Sequence, residues 1–211
     1  MFLPILTLAL AATCPPEGVT VTKNCFTDYF QAFNFTLFPD FATFSELISR
    51  QINDGGVPAL ESQCKTLNTL KSCLGSYEAA CVNGTVIASN FGVNQNDAFA
   101  YAGDYAEQAY YCNDGFDLMK QNFDCMVKME NSPDANNCVN IAVGDFQSGK
   151  ICKGYNDMVY CMSDVYTKTC GPGISPLICN MLQKDLQAQS GTGGCQWFDC
   201  SKPFPFNATT F

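Results

Sequence analysis

Fourteen cysteines and no histidine in 211 residues constrain this chain more than any other feature. The cysteines are Cys14, Cys25, Cys64, Cys73, Cys81, Cys112, Cys125, Cys138, Cys152, Cys161, Cys170, Cys179, Cys195 and Cys200. Their number is even, and no two are spaced as C-x-x-C. Without histidine and without that spacing, zinc sites and thioredoxin-like redox motifs are poorly supported. The set therefore predicts disulfides formed in an oxidising compartment, all fourteen cysteines taking part.

The intervals carry further information. Cys64, Cys73 and Cys81 are nine and eight residues apart, and Cys152, Cys161, Cys170 and Cys179 follow at steps of nine. Nine residues of α-helix rise about 13.5 Å, whereas a disulfide needs Cα atoms within about 7 Å. Neighbours in each series cannot pair if they share one continuous helix. At about 100° per residue they also point to opposite sides of it. Such a helix is clamped to different elements on its two faces, each clamp contributing about 2–4 kcal/mol. Spacing alone leaves the connectivity open.

The segments beginning at Cys64 and Cys152 share the pattern C-K-x-Φ-N-x-Φ-x-x-C, where Φ is apolar. Apolar residues continue at helical spacing, as Leu67, Leu70, Leu74 and Tyr77 in one and Tyr155, Met158, Met162 and Val165 in the other. Turn signals follow each third cysteine, Asn83-Gly84 and Gly171-Pro172-Gly173. Further stripes precede the first copy, Phe26–Tyr29–Phe30–Phe33 and Phe41–Phe44–Leu47–Ile48–Ile52, the latter capped by Asp40 and ended by Asn53-Asp54-Gly55-Gly56. Before the second copy lie Phe116, Met119, Phe123 and Val127, stopped near Ser132-Pro133, and a shorter helix around 139–146. Candidate helices at 97–111 and after Ser175-Pro176 complete the series, the last carrying Leu177, Ile178, Met181, Leu182 and Leu186 on one face. The expected fold is mainly α, a disulfide-crosslinked helical bundle of two related four-helix halves, 14–111 and 112–200, with a tail at 201–211.

Residues 1–13, MFLPILTLALAAT, are apolar, uncharged and end in small residues. They are too short to span a bilayer, which needs about 20 apolar residues, and they predict a signal peptide. No other apolar run is long enough for a membrane span. Three N-x-[ST] motifs begin at Asn34, Asn83 and Asn207 and suggest N-glycosylation, Asn83 in an accessible Asn-Gly turn. Ser190-Gly191-Thr192-Gly193 has the form of a glycosaminoglycan attachment site in a flexible linker, with Ser190 as the acceptor.

The run Cys152-x8-Cys161-x8-Cys170-Gly171, with Tyr160 before the middle cysteine and Cys179 beyond, resembles a large group of nematode secreted proteins with a cysteine-rich helical domain of unknown function. It is also similar to the domain of chondroitin-proteoglycan-type proteins. The resemblance covers 152–179 well, the first half more weakly and the tail hardly at all. It implies an extracellular, non-enzymatic role and supplies no catalytic residues.

A formal net charge of -9 and no dense basic patch argue against nucleic acid or anionic membrane surfaces as partners. The lack of histidine excludes Ser-His-Asp and Cys-His nucleophile systems. No phosphate-binding glycine loop and no calcium-loop pattern occur, and no cofactor is expected. The densest acidic run, Asp97, Asp104, Glu107, Asp114, Asp117 and Asp124, reads first as a solvated face. Paired carboxylates within it leave a catalytic role as a distant third choice. The aromatic series Phe99, Tyr101, Tyr105, Tyr110 and Tyr111 reads first as core and second as the lining of an apolar pocket. The leading expectation is a secreted protein that binds an extracellular protein or matrix partner. The alternative is a carrier of small apolar ligands, an idea that loses its pocket if the apolar face of 97–111 is fully packed.

Overall fold

The computed structural model describes residues 13–130, 132–190 and 195–202, and among these the regular structure is entirely helical. In chain order the helices are α1 (Pro16–Gln31), α2 (Phe41–Leu74), α3 (Glu78–Cys81), α4 (Gly84–Asn90), α5 (Gln95–Tyr111), α6 (Phe116–Gln121), α7 (Phe123–Met129), α8 (Pro133–Gln147), α9 (Ile151–Cys170) and α10 (Ser175–Ser190). The proposed signal peptide, Asn207 and most of the tail lie outside the described residues.

Local chemistry sets most boundaries. Asp40 caps α2 by accepting a hydrogen bond from the Thr43 backbone N–H at 2.9 Å. That helix bends sharply at Gly56, whose φ of 65° and ψ of -154° suit only glycine, and Pro58 then opens its second arm. The stop expected at Asn53–Gly56 is thus a kink between two stacked arms. The copy expected to run helically from Cys64 to Cys81 breaks at Gly75, and Cys81 sits on the separate short α3. Its counterpart α9 continues unbroken from Ile151 to Cys170. The stripe before Ser132-Pro133 ends as expected, with α7 stopping at Met129, but the same pair also starts α8, six residues before the helix expected around 139–146. The Ser132 Oγ accepts from the Ala135 N–H at 3.2 Å and Pro133 takes the first helical position, where its missing N–H costs nothing.

All fourteen cysteines are paired. Cys25–Cys73 nests inside Cys14–Cys81, and Cys64–Cys112 overlaps both. The same order recurs: Cys138–Cys161 nests inside Cys125–Cys170, and Cys152–Cys195 overlaps both. Cys179–Cys200 is an addition with no counterpart. Cys112, expected to open the second half, is bonded to Cys64, so a covalent link crosses the expected boundary at 111/112 and the first set closes with Cys112.

The halves share an interior. One apolar cluster runs from Phe26, Phe30 and Phe44 through Leu67, Ile87 and Tyr101 to Met119, Phe123, Ile174 and Ile178. α5 and α10 form the most extensive helix pair, and they run antiparallel, with Gly103 beside Asp185 and Gly115 beside Leu177. A β-carbon on Gly103 would lie 2.1 Å from Asp185 Oδ1 and 2.5 Å from Gln189 Cγ, so any larger residue makes those two side chains shift.

Candidate ligand-binding cavity

A cavity of about 270 Å³ opens where the two halves meet. α2 contributes Phe44, Ile48 and Ile52; α6 and α7 contribute Met119, Phe123, Met126 and Val127; α9 contributes Met162 and Tyr166; α10 contributes Ile178, Met181 and Leu182. These walls follow from the amphipathic stripes of five helices converging on one point. Four of the seven methionines of the chain line the space. Their unbranched thioethers adapt to irregular shapes.

α5 supplies the polar side: Asp104, Glu107, Gln108 and Tyr111 lie within one turn or two of each other and face the cavity. Glu130, at the end of α7, and Asn53 stand at another edge, the Asn53 amide donating to Glu130 Oε2 at 2.9 Å. A buried relay fixes Asp104. Gln63 Nε2 donates to Gln108 Oε1 at 3.0 Å, and Gln108 Nε2 donates to Asp104 Oδ2 at 2.6 Å. Glu107 has no hydrogen bond or ion pair with any described residue.

Burial pushes the Asp104 carboxyl up to about 7; the Gln108 hydrogen bond works against this and the nearby Asp185 adds to it. Glu107 is also raised well above the usual carboxylate range, first by burial, then by Asp185 and Asp104. Asp185, on α10, is raised by its own burial, while Gln189 donates to it at 2.6 Å. Three carboxyls are thus gathered at the α5–α10 seam, and no lysine or arginine lines the cavity. Among the described residues, no group of three His, Cys, Asp or Glu side chains is arranged to hold a metal ion.

The acidic run therefore divides. Asp114, Asp117 and Asp124 are exposed as a solvated face should be, whereas Asp104 and Glu107 turn inward. The aromatic series divides as well. Tyr101 and Tyr105 are packed in the core, as is expected of a helical stripe, and Tyr111 alone of that series reaches the cavity. Gln63, Gln108 and Asp185 were not singled out by the sequence. The signal for them was indirect: Asp104 has glutamine four residues on, where a solvated face commonly carries lysine.

The modification motifs take distinct positions. Asn34 is exposed in the turn after α1, with a φ of 66°. Asn83 is instead a partly buried helix cap: its Oδ1 accepts from the Val86 N–H at 2.9 Å and its Nδ2 donates to the Ala80 carbonyl at 3.0 Å. A glycan there would compete with both bonds. Ser190 is the last residue of α10 and partly buried; the linker expected to follow it, residues 191–194, lies outside the described residues.

Among the described residues, no helix is long and apolar enough to cross a membrane, and seven disulfides fit an extracellular protein. No family model, no curated protein and no solved structure matches the chain.

Proposed function

We propose that this protein is a secreted, non-enzymatic binder of a small apolar ligand, which it holds in the cavity between its two halves. The observation that carries this is the cavity itself: apolar walls from five helices facing a few convergent polar groups, the usual composition of a small-molecule site. Its volume falls just below the roughly 300–1,000 Å³ common for drug-sized ligands, which points to a small one. The apolar face of 97–111 is packed except at Tyr111, so the carrier reading rests on the cavity formed by the other helices and not on that face; on this ground it moves ahead of an interaction scaffold, for which the exposed Asp114, Asp117 and Asp124 would be the surface. The spacing from Cys152 to Cys179 supports kinship with the nematode secreted cysteine-rich domains, and exposed Asn34 is the better placed for a glycan of the two motifs among the described residues.

Native mass spectrometry of the secreted, deglycosylated protein is the first test, mass lost on denaturation being the expected result. Methyl NMR gives a second readout that does not depend on a co-purified ligand. Added 2-phenylethanol is expected to shift the methyl signals of Met119, Met126, Met162 and Met181 and to leave Met129 and Met158, outside the cavity, unmoved. Shifts absent from the four, or equal in all six, overturn the proposal.

A further inference from the structure

We infer that the ligand is a small lipophilic ammonium ion, its charged head against the Glu107 and Asp104 carboxylates and its apolar body among Phe123, Ile178, Met181 and Leu182. This rests on the cavity being a ligand site and specifies the chemistry that the site selects.

Three observations lead there. First, every charged side chain on the cavity wall is acidic: Asp104, Glu107 and Glu130. An anionic ligand would add repulsion, and a ligand without a donor would leave the Glu107 carboxylate without a partner. Second, Asp104 is held in place by the Gln63–Gln108 relay, while Glu107 has no partner of its own. A partly buried carboxylate with no donor is a group awaiting one, because desolvation without a compensating bond is costly. Third, the absence of a metal-holding arrangement among the described residues turns the choice away from a bare divalent cation. Tyr111 and Tyr166 also line the cavity, from α5 and α9, and aromatic rings attract organic cations.

A proton takes the cation's place when the site is empty. The groups facing Glu107 and Asp104 are Asp185 from α10, Tyr101 and Tyr111 from α5 itself, Tyr166 from α9 and Tyr29 from α1, none of them basic. With their carboxyls raised, the pair keeps protons near neutrality that an arriving ammonium ion displaces. Affinity for the cation must then rise with pH, since the charged acid is the form that binds it.

The test compares three probes of one shape, 2-phenylethylammonium, 2-phenylethanol and 3-phenylpropanoate, by methyl NMR titration of the unmodified, fully oxidised protein. An alkylammonium stays charged well above neutrality, as lysine does with its pKa of about 10.4, so only the protein titrates. The ammonium ion is expected to bind about tenfold or more tightly than the alcohol, and the carboxylate not measurably. Its affinity is expected to rise from about pH 5.5 to about pH 8.5 while that of the alcohol stays level. In the doubly neutral variant, Asp104→Asn with Glu107→Gln, the preference disappears and the alcohol still binds. Equal binding of ammonium and alcohol to the unmodified protein overturns the charge selectivity and leaves the cavity as a ligand site. Binding of none of the three overturns both.

Discussion

Between Cys14 and Cys112 the interior is aromatic; between Cys125 and Cys200 it is thin and cross-braced. In the first half Phe26, Phe30, Phe38, Phe44 and Tyr101 form a continuous cluster of rings, with Phe30 and Phe38 at 4.5 Å and Phe30 and Phe44 at 5.0 Å between centroids. Such edge-to-face pairs add to the burial of large apolar surface. In the second half the separate buried cluster is only Val159, Cys179, Leu186 and Cys200, and Val139, Val143 and Ile151 are exposed. Its irregular C-terminal segment is held by two disulfides, by Asn156 Nδ2 donating to the Gln196 carbonyl and by Gln183 Nε2 donating to the Phe198 carbonyl. Tyr155 stacks on Trp197 at 5.8 Å. The same order of crosslinks thus encloses two different kinds of core. Covalent bracing is densest where apolar burial is poorest, as the balance between the two in small secreted domains would require.

The contrast is testable by removing each half's own means of support. Phe44→Ala, in the ring cluster, is expected to cost about 3–5 kcal/mol in equilibrium denaturation, and a loss below 1 would mean that the rings are not the main support of that half. Replacing Cys179 and Cys200 together by alanine is expected to cost about 2–4 kcal/mol, with increased amide exchange in 195–202 and little change in the first half. A loss spread evenly over both halves would break the comparison. Gly103→Ala displaces the Asp185 and Gln189 side chains that meet it across the α5–α10 seam and is expected to cost about 1–3 kcal/mol, with the ring cluster of the first half unchanged. The last expected effect is on pH dependence. Because the folded Asp104 and Glu107 hold protons that the unfolded chain has released, stability falls as pH rises from about 4 to about 8. Asp104→Asn should flatten that slope in thermal melts across the interval; an unchanged slope would place the titration elsewhere.

The helical, disulfide-linked character of the fold was legible in the cysteine steps, because a nine-residue step on a helix fixes both rise and direction. The apolar walls of the cavity were legible too: Phe44, Ile48, Ile52, Met119, Phe123, Ile178 and Met181 all belong to stripes visible in the sequence. That these stripes converge was not, since convergence is decided by which cysteines pair, and spacing leaves the pairing open. Nor was the inward turn of Asp104 and Glu107 visible. A carboxylate on an amphipathic helix is ordinarily solvated, and only the docking of α10, through Gly103, encloses these two. The break at Gly75 leaves no mark in the apolar period, since the following residues still match a helix, and Ser132-Pro133 reads equally as the end of one helix and as the cap and first turn of the next.

The pairing has a mechanical consequence. No disulfide joins a cysteine up to Cys112 to one after it. The molecule is two crosslinked sets joined by one covalent connection, the segment from 113 to 124 that carries α6, and the cavity lies where they meet. Parting them would break no disulfide, but it would open the α5–α10 pair and the interior that the two halves share, so the proposed ligand would enter or leave against apolar packing rather than against a crosslink.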